Sequence, residues 1–228
     1  MSNWMGFLRA AGLAALLAAA LSLPCTQALA QKSQKKIYTR SYRLQDFRSK
    51  TLKIVLDGPD AVCKALREDV TTFWTISPYE FCGPGEGAAP GAGSSDYFLR
   101  PEESRGIIYL TLNKGTVKPM KIVSVPVAGV DYHGSLTYMP AFLGIIQDYV
   151  DAAMNSEFKA YMGPGSTCRI RPPGRKVYKD PSEAEKVFRS GDPDAAVRVI
   201  ITPDGSPSSR PRRTMVFGAA NYELYSFR

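Results

Sequence analysis

The feature that most restricts the fold of this chain is the order of four local patterns. A strand-like run is followed by a turn, a helical pattern and a second strand-like run. Residues 52–56 form a compact apolar run, and residues 57–60 carry the turn formers Asp, Gly and Pro. Residues 61–73 have apolar side chains at helical spacing, and we expect Asp60 to cap that helix. Residues 75–81 predict the second strand. This β-α-β order favours an α/β fold, because a helix usually links parallel neighbours.

Three further strand candidates follow one another without a helix between them. They cover residues 96–100, 107–112 and 121–127, with a turn signal at residues 113–115. Consecutive strands joined by short turns favour antiparallel pairing, whereas a purely parallel sheet needs a helix between each pair. The sheet is therefore expected to be mixed.

The strongest helical pattern covers residues 139–161. Its apolar stripe comprises Phe142, Ile145, Ile146, Tyr149, Val150, Ala153 and Phe158. Pro140 suits the first turn, and residues 163–165 form a terminating Gly-Pro-Gly. We expect this helix to cover the sheet.

The last third predicts a weaker strand-helix-strand unit and a terminal hairpin. A short strand is expected at residues 168–170 and a helix at residues 181–189, capped by Asp180. A strand at residues 197–202 follows, and the last predicted elements are the hairpin strands 214–217 and 222–227. The two strand-helix-strand units share no convincing sequence identity, so the sequence indicates no internal repeat.

These elements predict a single α/β domain over residues 51–228. A mixed β-sheet is covered by two main helices, with a short third helix near residues 181–189. Residues 83–95, rich in Gly, Ala, Pro and Ser, and residues 203–213, rich in Pro, Ser and Arg, are expected to be mobile loops.

The first thirty residues have the pattern of a secretory signal peptide. Arg9 precedes an apolar run over residues 10–23, and small residues lead to Ala28-Leu29-Ala30. We expect cleavage after Ala30, with retention as an N-terminal anchor as the alternative. The run is shorter than the roughly 20 residues of a membrane-spanning helix, and no later segment predicts a span. The expected location is periplasmic or extracellular, including the outer envelope.

Positive charge is concentrated in three places, in a chain of formal net charge +8. The clusters are a basic lead-in over residues 31–50, the group Arg169, Arg171, Arg175, Lys176 and Lys179, and the group Arg210, Arg212 and Arg213. Such clusters suit anionic lipid headgroups, acidic glycans or an acidic partner protein, or they are simply solvated. Export argues against nucleic acid as the partner.

Three cysteines remain once Cys25 leaves with the signal peptide. Cys63, Cys82 and Cys168 permit one disulfide with a free thiol, or three free thiols. There is no C-x-x-C pair, so neither a zinc knuckle nor a thioredoxin-type redox site is indicated.

Catalytic motifs are missing from the sequence. His133 is its only histidine, and an ordinary loop residue, a general base oriented by Asp131 and a partner of a cysteine all stay open. Asp148/Asp151 and Glu183/Glu185 are the nearest to paired acids, and a solvated helix face explains them. We assign no catalytic, cofactor-binding or metal-binding residue.

The absence of such motifs favours a non-enzymatic binding or assembly component. The alternative is a hydrolase or another enzyme with a site near His133. Oligomeric state is left open by the sequence.

Residues 65–81 resemble a group of uncharacterised exported α/β proteins of Bacteroidetes. The shared pattern is a helix that ends in an aromatic pair, here Phe73-Trp74, followed by Thr75-Ile76-Ser77-Pro78-Tyr79-Glu80-Phe81. The resemblance implies a secreted or periplasmic α/β domain and brings no catalytic residues with it.

Overall fold

The computed structural model describes residues 39–83, 96–115 and 119–228. The predicted signal peptide with its cleavage site, the first part of the basic lead-in and most of the predicted loop over residues 83–95 lie outside the described residues.

The first part of the chain builds one sheet with its own helix. Its elements are α1 (Arg40–Arg43), β1 (Leu52–Val55), α2 (Asp60–Phe73), β2 (Tyr79–Cys82), β3 (Tyr97–Ser104), β4 (Ile107–Lys114) and β5 (Met120–Gly129). The strands lie in the order β2-β1-β3-β4-β5. β1 is parallel to both β2 and β3, with Leu52 opposite Tyr79 of β2. β3, β4 and β5 pair antiparallel, with Leu99 of β3 opposite Leu112 of β4. The predicted β-α-β unit and antiparallel run are both confirmed.

The rest of the chain supplies further helices and a second sheet. Its elements are α3 (Met139–Asn155), α4 (Glu157–Met162), β6 (Lys176–Tyr178), α5 (Pro181–Ser190), β7 (Ala195–Ile201), β8 (Arg213–Gly218) and β9 (Leu224–Phe227). The strands lie in the order β6-β7-β8-β9, with β6 parallel to β7 and the others antiparallel. The α/β class is confirmed, and the described strands form two mixed sheets where one was expected.

Helix α3 joins the two sheets. It is buried on nearly all sides, as expected of a central helix. It packs on β5 of the first sheet. On the side of the second sheet the Phe142 ring lies edge-on to Phe217, with centroids 6.3 Å apart, and Phe188 of α5 completes the contact. One continuous apolar cluster therefore includes residues of both sheets.

The strand predicted at residues 75–81 is shorter than expected. β2 begins only at Tyr79, because Gln147 of α3 holds the preceding connection. Its Oε1 accepts hydrogen bonds from the main-chain N–H groups of Thr75 and Ile76, at 2.8 and 3.2 Å. Pro78 directly precedes β2, which is an edge strand of the sheet. Asp60 is the first residue of α2 rather than its cap.

The helix predicted over residues 139–161 is interrupted. Ser156 is extended, with φ −151° and ψ 117°, and its Oγ accepts a hydrogen bond from Lys159 N, which starts α4. The change of direction takes Phe158 out of the apolar stripe, and its side chain is 71% exposed. The predicted end at Gly163 is confirmed.

The strand predicted at residues 168–170 is wrong. These residues have no regular structure, and Ile170 is 95% exposed. β6, at residues 176–178, takes that place beside β7. Helix α5 is confirmed with its cap, since the Asp180 carboxylate accepts from the N–H groups of Ser182 and Glu183.

Candidate functional site

The described part of the basic lead-in is tied to the body of the protein. The main-chain N–H of Arg40 donates to Glu157, and its guanidinium donates to the carbonyl oxygens of Lys121 and Ala160. Phe47 is fully buried, whereas Tyr42 is 54% exposed. Arg40 of this first cluster therefore serves internal contacts.

Each of the other two basic clusters contributes a residue to the second sheet, at opposite ends of β7. Lys176 lies on β6, which pairs with the first residues of β7. Arg213 begins β8 and lies opposite Ile201, the last residue of β7. Arg198 lies on β7 between these two ends. The sheet thus gathers cations that are far apart in sequence.

One face of this sheet carries a shallow depression of about 430 Å³, which we call the arginine face. It is lined by Arg198, Ile200, Arg212, Thr214, Val216, Ser226 and Arg228. The register explains the grouping, since Arg198 lies opposite Val216 and Ile200 opposite Thr214. No acidic side chain is among the lining residues.

The arginines of this face are available for a partner. Among the described residues, none of the three forms a salt bridge, and the buried Nε of Arg198 has no hydrogen-bond partner. Arg212 donates only a long hydrogen bond, 3.4 Å, to the Pro207 carbonyl. A guanidinium offers up to five donors in a fixed plane, which suits carboxylates and phosphates.

A second cavity, of about 320 Å³, lies beside β7, and we call it the edge cleft. It is lined by Tyr132, Gly134, Ser135, Tyr138, Lys179, Pro181, Ser182, Glu185, Arg198, Val199, Ile200, Gly205 and Pro207. Three segments form its walls: the turn before α3, the start of α5 and the loop after β7. Arg198 lines both this cleft and the arginine face.

The polar groups of the edge cleft differ in how they are engaged. Glu185 is held by Arg189, with 2.7 Å between Nη2 and Oε1. Burial, together with the negative charge of Glu185, raises the pKa of Tyr138 to about 12, so its hydroxyl keeps its proton at neutral pH. Lys179 and Arg198 form no ion pair with a described residue. The cleft therefore has two cations to offer an incoming anion.

Tyr132 forms one wall of the edge cleft and packs closely against two glycines. A Cβ at Gly205 would lie 2.5 Å from the Tyr132 ring, and one at Gly134 would lie 2.3 Å from its hydroxyl. Gly205 also has φ +80°, which favours glycine. The absence of side chains here lets the ring lie flat against the backbone.

His133 directly precedes the 3₁₀ turn Gly134–Tyr138 and is partly buried. Its Nε2 is buried and has no hydrogen-bond partner among the described residues. The described hydrogen bonds include none from its ring to Asp131 or to a cysteine. The arrangement does not assemble the nucleophile-and-base pair that the enzymatic alternative requires.

The paired acids and the cysteines are dispersed. Asp151 pairs with Arg48, and both Asp148 and Asp151 line a polar depression that also contains Lys159 and Arg169. Within residues 39–83, 96–115 and 119–228, no group of metal-ligating side chains suits an ion. In this part of the chain, Cys63, Cys82 and Cys168 form no disulfide with one another.

Arg198 is a candidate site residue that no sequence motif singled out. A signal was present, because Arg198 is the one charged residue in the apolar run over residues 197–201. In a strand of period two such a residue marks the face that is open to solvent or to a partner. The edge cleft has no comparable signal, since its residues are spread from position 132 to position 207.

No family model, curated protein or solved structure matches the chain. In the described part of the chain, no helix has the length and apolar character needed to cross a membrane.

Proposed function

We propose that the protein is an exported, non-enzymatic binding or assembly component that docks on an acidic envelope protein through the arginine face. Export rests on the signal-peptide pattern of residues 1–30 and on the resemblance of residues 65–81. The observation that carries the docking proposal is the convergence of Arg198, Arg212 and Arg228 on one face without an acidic neighbour in the lining.

The composition of the face favours a protein partner. Ile200 and Val216, both half-buried, form an apolar floor, and the hydroxyls of Thr214 and Ser226 lie between the cations. Apolar centres with arginine are typical of protein–protein interfaces, where charge complementarity adds specificity and speed of association. A carboxylate-rich segment of the partner can accept hydrogen bonds from the three guanidinium groups.

The test begins with capture of the partner from the native envelope fraction and continues with the two purified proteins. The double variant R212E/R228E should weaken their binding at least about tenfold, and about 0.5 M salt should do the same, because both act on exposed charges. The matched control is K64E/K186E, which changes the net charge equally at exposed helical sites outside the face.

Three outcomes overturn the proposal. The first is binding that R212E/R228E leaves unchanged, and the second is equal weakening by the control. The third is binding to vesicles containing anionic phosphatidylglycerol with no protein partner, which assigns the face to lipid instead.

The enzymatic alternative near His133 stays a prediction, and no described contact favours it. His133→Ala, compared with the unchanged protein against a panel of ester, peptide and glycoside substrates, tests it directly. An activity that this substitution removes without unfolding the protein would contradict the non-enzymatic proposal.

A further inference from the structure

β7 has an open edge that leads into the edge cleft. Its neighbour β6 has only three residues and ends with Tyr178 opposite Val197. Beyond that point the chain turns away into α5, so no strand of the described residues lies on this side of β7 from Arg198 to Ile201. An exposed edge is a template for pairing with another extended chain, and proteins usually cover it.

The register shows which main-chain groups face this edge. Ala219 N donates to Ala195 O at 3.0 Å, so Ala195 and every second residue after it direct their main chains toward β8. Ala196, Arg198 and Ile200 direct theirs the other way. Among the described residues, no hydrogen bond reaches the Ile200 N–H or carbonyl from that side. The edge is thus unpaired at Ile200 and faces the cleft.

The dimensions of the cleft fit a short extended segment. The open part of β7 contains four residues, Arg198 to Ile201, which corresponds to about 13 Å of extended chain at about 3.3 Å per residue. Pro181, Pro207 and Tyr132 are among the residues that line the cleft. These walls give side chains of an added strand an apolar and aromatic surface.

Positive charge is concentrated at one end of this open edge. Lys179 directly follows β6, at the point where an added strand must stop, and Arg198 is the β7 residue at the same level. Both lack an ion-pair partner in the described part of the chain. A strand that runs antiparallel to β7 has its carboxyl end here, so its terminal carboxylate meets two cations.

We propose that the edge cleft binds the carboxyl-terminal segment of a peptide, which adds to β7 as an antiparallel strand at Ile200 and places its carboxylate between Lys179 and Arg198. This site is distinct from docking at the arginine face. It has only Arg198 and Ile200 in common with that face, and the two are tested through different residues.

The probe is a mixture of N-acetylated tetrapeptides with varied side chains and free carboxyl ends, added to the full mature chain. Hydrogen exchange should slow at the Ile200 amide, which becomes a donor to the peptide. The same mixture with carboxyl-terminal amides should bind at least about tenfold more weakly. Lys179→Ala should lose affinity by a similar factor, whereas Lys186→Ala, at an exposed lysine of α5 that does not line the cleft, should not.

The proposal is overturned by no binding up to roughly 1 mM peptide, a concentration at which even weak strand addition is visible. Equal binding of the peptides with free carboxyl ends and of those with carboxyl-terminal amides also overturns it. So does binding that leaves hydrogen exchange at the Ile200 amide unchanged. Acetate that competes fully with the peptides and slows no exchange at Ile200 would reduce the site to an anion site. Because R212E/R228E leaves the cleft intact, loss of partner docking without loss of peptide binding separates the two proposals.

Discussion

The carboxylate of Asp46 and the ammonium of Lys114 form an ion pair, with 2.7 Å between Oδ1 and Nζ. The Tyr97 hydroxyl joins them, 2.5 Å from Oδ1 of Asp46 and 2.9 Å from Nζ of Lys114. Partial burial alone would raise the pKa of Asp46, but the hydrogen bonds from Lys114 and Tyr97 outweigh it and hold the pKa below its ordinary value. The pair fastens the lead-in to the start of β3 and the end of β4.

Asp46→Asn should lower the free energy of unfolding at pH 7 by about 1 kcal/mol, a small value because the carboxylate is partly exposed to solvent. Because the pKa of Asp46 is lowered in the folded state, its contribution to stability is present above the unfolded-state pKa near 4. The contribution is lost as the pH falls through the lower, folded-state pKa. Denaturant titrations from pH 2 to pH 7 measure both effects. Asp57→Asn, at an exposed carboxylate, is the control, and an equal loss there would contradict the assignment.

Asp69 should destabilise the fold at neutral pH. Burial, with a contribution from neighbouring Glu68, raises the pKa of Asp69 to about 6. The folded state then binds a proton that the unfolded chain has already released above about pH 4, so this contribution to stability falls between pH 4 and pH 6. We expect Asp69→Asn to gain about 1 kcal/mol at pH 7 after allowance for solvent. Thermal unfolding measures the gain, and Asp194→Asn at an exposed site should show none.

Gly205→Ala should cost more than the same change at Gly174. Both glycines have positive φ, +80° and +83°, so each substitution strains the backbone by about 1 kcal/mol. Only at Gly205 does the new Cβ meet a ring, that of Tyr132, whereas nothing lies within 4 Å at Gly174. We expect an additional loss of about 1–2 kcal/mol from this clash. Equal losses in urea titrations would show that Tyr132 moves away freely.

Glu157→Gln should release the lead-in without unfolding the sheets. The carboxylate accepts from the main-chain N–H groups of Arg40 and Ser41, at 3.0 and 2.9 Å, and from the Ser41 hydroxyl at 2.6 Å. Brief trypsin treatment should then cut faster after Arg40 and Arg43, since cleavage follows local opening. Glu183→Gln is the control on another helix. Unchanged cleavage would mean that the other contacts of the segment, including the Asp46–Lys114 pair and the buried Phe47, hold it without Glu157.

Local signals in the sequence were sufficient for elements whose ends are set by neighbouring residues. Asp180, Pro181 and Gly191 define both ends of α5 by capping, which involves residues only a few positions apart. The alternation in residues 197–201 likewise located β7. Such elements do not depend on the rest of the molecule for their boundaries.

Elements defined by distant contacts were beyond sequence reasoning. The apolar pattern continues through Ser156, so the break before α4 is invisible until the lead-in packs against Glu157. β6 has three residues and is a strand only because β7 lies beside it. The same reason hides the edge cleft, since Lys179, Tyr132 and Pro207 converge only after both sheets have formed.

Neither sheet borrows a strand from the other part of the chain. Residues 52–129 hold every strand of the first sheet, and residues 176–227 hold every strand of the second, in the described structure. A single cut in the exposed stretch 170–174 would leave both sets of ladders complete. The cut would break only the covalent link between the two fragments. They would still be in contact where Phe142 packs on Phe217. The chain is therefore suited to fragment complementation, with two separately made pieces reassembling on helix α3.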